Sequence, residues 1–135
     1  MFVRDLVGEA VEILGGVKAL RKAARQLGPS AHNLLYKQLK RADPNPDATI
    51  WFALLRAAKL TLDGHEHLKA YVDAIDERRE ALDLKYVDVI KRSWGHLTHT
   101  TLSVTLNHRS TPRIALILDI AQCVEMSPHI RPKPT

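Results

Sequence analysis

The segment from Ser30 to Arg41 concentrates side chains that pair with base edges and phosphates: Ser30, His32, Asn33, Lys37, Lys40 and Arg41. An asparagine amide sets a donor beside an acceptor and matches adenine, and a lysine ammonium donates to guanine O6 and N7. Between these residues, Leu34, Leu35 and Leu39 recur at helical spacing and give the segment a buried side. Upstream, Lys18, Arg21, Lys22 and Arg25 extend the charge, and no acid interrupts the chain from Lys18 to Arg41. An acid-free basic run fits a surface facing phosphates, where cations add affinity rather than sequence preference. The competing reading is an ordinary solvated helix face.

Two helices must position these side chains. Leu20, Ala23, Ala24 and Leu27 make one apolar stripe, so Val17–Leu27 reads as a helix that Gly28-Pro29 stops. Ser30 is expected to cap the next helix, which runs to about Arg41. An apolar elbow presenting a polar, basic second helix is what a helix-turn-helix needs to enter a major groove. Before the elbow, Val3, Leu6, Val7, Ala10, Val11 and Leu14 predict a helix over 3–14, ended by Gly15-Gly16. After it, Asp43-Pro44-Asn45-Pro46 predicts a turn. Asp47 then caps a helix over 48–59 that buries Ile50, Trp51, Leu54, Leu55 and Ala58. Residues 60–64 read as a boundary.

The second half restarts the pattern. Helices are expected over 66–82, 86–94 (carrying Val87, Val89, Ile90 and Trp94), 98–107 and, with Thr111 as cap and Pro112 in its first turn, up to Ser127-Pro128. Taken alone, Thr98–Leu106 alternates like a strand. The repeat argues for a helix. With Gly28 placed on Gly95, 67 residues apart, Leu27 falls on Trp94 and Leu20 on Val87. Leu35 then matches Leu102, and Leu39 matches Leu106. The fold expected is all-α, with two tandem small helical domains, each holding a helix-turn-helix: residues 1–64 and 65–128, then a flexible tail, 129–135. The second copy offers Thr98, His99, Thr100, Thr101, Ser103, Asn107 and Arg109 as reading residues, hydrogen-bonding but nearly uncharged.

Charge separates the halves. Lys and Arg outnumber Asp and Glu by ten to six over residues 1–64, and by ten to nine over 65–135. The first copy is therefore expected to supply most of the electrostatic affinity. With 45% hydrophobic and 26% charged residues, the composition is that of a globular protein, and 5% aromatics makes the core mainly aliphatic. No run approaches the ~18–20 apolar residues of a membrane span. The acids Asp5, Glu9 and Glu12 make the N-terminal helix amphipathic rather than a secretory signal. The lone Cys123 forbids an internal disulfide and points to a reducing, cytoplasmic setting. His65-x-His67 and His96-x-x-His99 have chelating spacings but no accompanying Cys cluster, so no metal and no cofactor are expected. No phosphate-cradling glycine loop or nucleophile motif is present, so no enzyme activity is expected.

The first half resembles the lambda-repressor-like, or Xre-type, helix-turn-helix regulators, and among them the antidote proteins of chromosomal addiction modules. Ala24 and Gly28, then Leu34-Leu35-Tyr36-Lys37 with Leu39, Asn45-Pro46, Ile50, Leu54, Leu55 and Leu60 carry the likeness, which covers Val17–Leu62. Over Leu82–Pro128 the second half is similar to the same class through Leu102-Ser103, Arg109-Ser110-Thr111-Pro112 and the apolar closing helix. In both copies the turn after the glycine is one residue longer than the usual pattern. The resemblance implies a transcription regulator, bacterial or phage-derived and nucleoid-associated, whose partner is double-stranded DNA. It also leaves open a homodimer, and a protein partner such as a toxin or RNA polymerase.

Overall fold

Each apolar period of the sequence becomes a helix in the computed structural model, which describes residues 2–134. In the first half, α1 spans Val3–Leu14, α2 Val17–Arg25, α3 Pro29–Leu39 and α4 Ala48–Ala57. In the second half, α5 spans Leu68–Ala81, α6 Tyr86–Arg92, α7 His99–Leu106 and α8 Ile114–Cys123. The chain is mostly helical, as the composition predicts. Each group of four helices is followed by a short strand, β1 at Leu60–Leu62 and β2 at Ile130–Pro132. The two strands pair antiparallel, with Thr61 opposite Arg131.

The strands add to one expectation and correct another. Residues 60–64, read as a boundary, carry β1, with Leu60, Thr61 and Leu62 all buried. The expected flexible tail 129–135 instead contributes β2, and Ile130 is buried. Thr135 lies outside the described residues. The physical reason is long-range. Apolar Leu60 and Leu62 need cover, and the Ile130 segment supplies it while satisfying backbone groups that burial would orphan. The Lys133 amide donates to the Lys59 carbonyl at 2.9 Å, and the Asp63 amide donates to the His129 carbonyl at 2.9 Å.

At the centre, α4 and α8 pack against each other. Trp51, Phe52, Leu54 and Leu55 of α4 are buried with Ile114, Ile117, Leu118, Ile120 and Ala121 of α8. Burying each large side chain of this kind contributes roughly 1.5–3 kcal/mol. Around the pair, α2 contacts α3 and α4, and α6 contacts α7 and α8.

Helix starts depart from the expected caps in two places. Pro29, not Ser30, opens α3, and Gly28 is the N-cap at φ +92°. Proline suits a first helical position because that residue needs no amide partner. Likewise α8 begins at Ile114 after Arg113, and Pro112 lies outside it. The side-chain acceptor for α8 comes from the other half, where Asn45 Oδ1 accepts from the Ala115 amide at 3.0 Å. Asp47 caps α4 as expected, accepting from the amides of Thr49 at 2.8 Å and Ile50 at 3.3 Å.

Three apolar residues assigned to helix interiors face outward. Trp94 is 92% exposed, Leu34 55% and Val87 50%. Trp94 sits past the end of α6 at φ +56°, where the chain turns. Inside that turn Ser93 Oγ donates to the Ile90 carbonyl at 2.6 Å and accepts from the Leu97 amide at 3.1 Å. Leu97 then fills the interior position that Trp94 vacates. In α6 it is Val89, not Val87, that is buried.

Candidate nucleic-acid interface

Leu35 is fully buried and anchors α3, whose opposite side carries the polar residues. Ser30 and Asn33 lie exposed in the first half of that helix, and Lys37 lies exposed one turn later. Lys40 follows the last helical residue, with Arg41 next, and both are exposed. On α2, Lys18, Arg21, Lys22 and Arg25 are all exposed, opposite buried Leu20, Ala23 and Ala24. The two helices touch. Arg21 of α2 lines a shallow groove together with Tyr36 and Lys40 at the far end of α3. Among the described residues none of these seven cations forms an ion pair, whereas Arg79, Arg92 and Lys133 each meet an acid.

A ladder of rings organises the surface of α3. His32 stacks on Tyr36 with centroids 6.0 Å apart and planes 25° apart. The Lys40 ammonium sits 4.2 Å from the Tyr36 ring centroid. That ammonium, by hydrogen bonding first and charge second, holds the Tyr36 phenol below the ordinary tyrosine range. Half-buried His32 thus belongs to a preformed stack. Tyr36 was not among the expected contact residues. Its spacing, four residues after His32 and four before Lys40, is the signal that finds it.

The second copy is arranged similarly but is already occupied with its own hydrogen bonds. Gly95 takes φ +85°, matching Gly28, and Leu102 is fully buried, matching Leu35. Thr98 caps α7, its Oγ1 accepting from the Thr101 amide at 3.2 Å. His99 packs against Tyr86 with centroids 5.4 Å apart, and Thr100 and Arg109 are exposed. The Asn107 amide donates to the Ser103 carbonyl at 2.8 Å, so both residues are held within the helix. Thr98, Thr101, Ser103 and Asn107 therefore have helix partners, while His99, Thr100 and Arg109 remain the outward groups.

Other candidate chemistry does not assemble. His65 lies edge-on to Tyr71, 5.6 Å between centroids. Among the described residues no three His, Cys, Asp or Glu side chains gather as a metal ion requires. Burial first, and then the Asp119 charge, push the Cys123 thiol up, away from the reactive thiolate form. Among the described residues no helix is long and apolar enough to cross a membrane.

Comparisons with protein-family models, with curated proteins and with solved structures each found no match for the chain.

Proposed function

We propose that this chain is a sequence-specific DNA-binding transcription regulator that places α3 in a major groove, in the manner of a helix-turn-helix. The observation that carries this reading is the set of seven exposed cations on and beside α2 and α3, none of them ion-paired among the described residues, with the polar residues Ser30 and Asn33 exposed on α3. Exposed cations with no acid against them favour a polyanionic partner. In this reading Asn33 and Lys37 contact base edges, and Lys18, Arg21, Lys22, Lys40 and Arg41 contact phosphates. The turn between α6 and α7 supports a second, nearly uncharged reading element. The activity is binding rather than catalysis.

Titration of labelled random-sequence duplex DNA at increasing salt tests the proposal. Six or more phosphate contacts make affinity fall by roughly 10³-fold between about 50 and 200 mM salt. Replacing Lys37→Glu and Lys40→Glu together lowers affinity at least ~10-fold and flattens the salt dependence, with helix content unchanged. Binding that ignores salt, or a double variant with unaltered affinity, refutes the assignment.

A second reading makes the chain an antidote that also neutralises a partner toxin. One feature favours it. Trp94, 92% exposed, stands beside an open groove of about 470 Å³ lined by Arg92, His96 and Asp119, and exposed tryptophans are common anchors in protein interfaces.

A further inference from the structure

Two junctions join the halves, and both pair equivalent residues in antiparallel fashion. At the first, Asp47 opposes Arg113, equivalent as the residues immediately before α4 and α8, although this register is one residue shorter than the one that sets Gly28 on Gly95. The Ala48 amide donates to the Pro112 carbonyl at 2.9 Å, and the Ile114 amide donates to the Pro46 carbonyl at 2.9 Å. Exchanging the halves turns each of these bonds into the other. At the second, Leu60, Thr61 and Leu62 oppose Pro132, Arg131 and Ile130, so the strands that follow α4 and α8 pair about their centres. An arrangement in which equivalent residues meet reciprocally has a twofold axis, because a translation would set equivalent residues apart. The two junctions lie at opposite ends of α4 and α8, and those helices also touch each other. One axis passing between α4 and α8 would serve both junctions. Contacts of α2 with α3 and α4 are matched by contacts of α6 with α7 and α8, so α3 and α7 hold equivalent places in the two halves, whereas α1 packs on α2 and β2 and α5 instead packs on α4, α7 and α8.

We infer that one chain carries an internal dyad relating α3 to α7, and that it reads an inverted pair of non-identical DNA half-sites as a monomer. This rests on the DNA-binding reading proposed above. A dyad on the protein matches the dyad of the duplex, so two reading helices related this way address half-sites in opposite orientation. Non-identity follows from the equivalent side chains. Asn33 corresponds to Thr100, Lys37 to Val104 and Lys40 to Asn107, while His32 corresponds to His99. An amide and two ammonium groups on one side thus face a hydroxyl, a methyl pair and a helix-bound amide on the other. One half-site is recognised by Asn33 and Lys37, and the other through Thr100 and His99.

Selection of bound duplexes from a random pool with the full chain, followed by sedimentation of the selected complex, tests this. The expected site has two different half-sites in inverted orientation, bound by one 15.2 kDa chain per duplex. Reversing one half-site in place mismatches several base pairs together and lowers affinity by ~100-fold or more, at about tenfold each. Asn33→Ala relaxes base preference in one half-site only, and Thr100→Ala in the other only. A direct repeat, a lone half-site indifferent to its flank, or a palindrome holding two chains overturns the dyad inference and leaves the DNA-binding reading standing. Recovery of no preferred sequence, with no salt-sensitive binding, removes both.

Discussion

Tyr36 couples the two ends of the basic surface. Its ring receives His32 on one side and the Lys40 ammonium on the other, and the Arg21 charge from α2 also reaches it. A phenol held this way ionises at lower pH than an ordinary tyrosine, and its ionisation adds a negative charge beside the Lys40 and Arg21 cations. Affinity for DNA is therefore expected to fall as pH rises into the alkaline range, earlier than lysine neutralisation alone would cause. Tyr36→Phe removes that early loss, and Lys40→Met returns the phenol to the ordinary range. Binding titrations across pH and tyrosinate absorbance check the two effects, and identical alkaline profiles for the wild type and Tyr36→Phe would show the phenol plays no part. The exposed cations of this surface were legible in the sequence, because an acid-free run on a helix with one apolar stripe leaves charge nowhere else to go. The ring ladder was legible only as spacing. Which way Tyr36 and Lys40 turn depends on Arg21 and Leu39 of the groove they share.

The helices were readable because glycine, proline and Asx residues bound each apolar period. Gly28-Pro29, Asp47 and Gly95 mark turns that the structure keeps. Even Thr98–Leu106, locally strand-like, folds as a helix once Thr98 caps it and Thr105 Oγ1 donates to the Thr101 carbonyl at 2.7 Å. The strands were not readable. Three residues are too few for a period, and each strand exists only because its partner lies 70 residues away. The same holds for the cap on α8, which local sequence would assign to Thr111 but which Asn45 provides across the dyad. Asn45 ties α3 to the start of α8. Its amide donates to Gln38 Oε1 of α3 at 3.0 Å, its carbonyl accepts from the Arg113 guanidinium at 2.7 Å, and its side chain caps α8. Asn45→Ala keeps the backbone bonds and removes the cap, so it costs about 1–2 kcal/mol of folding stability. Asn45→Asp retains an acceptor oxygen and restores most of that loss. Urea denaturation of the two variants distinguishes a cap from a mere turn residue, since a turn role would leave Asn45→Ala near the wild type.

At the scale of the molecule, the two halves expected as tandem units share what each would need to stand alone. Beyond the strand pair and the α4–α8 contact, α1 packs on β2. Glu9 Oε1 accepts from the Ile130 amide at 3.1 Å. Asp63 accepts from the Tyr71 phenol at 3.0 Å and from the His129 amide at 2.9 Å. Buried residues from both halves join in one apolar cluster. Separating the halves would expose Leu60, Leu62 and Ile130 and leave the amides of Ala48 and Ile114 without partners, a cost each half would bear without any gain of its own. Folding of one half is thus conditional on the other. Two beads on a linker would unfold at separate denaturant concentrations; a dyad-centred core predicts one transition. In a Trp94→Phe variant, Trp51, buried in the first half, reports that half by fluorescence, while far-UV circular dichroism reports helices of both. The two signals are expected to share one urea midpoint. A dichroism curve that continues to change after the Trp51 signal is complete would show independent halves, and would also free α3 and α7 from the fixed relation that an inverted binding site requires.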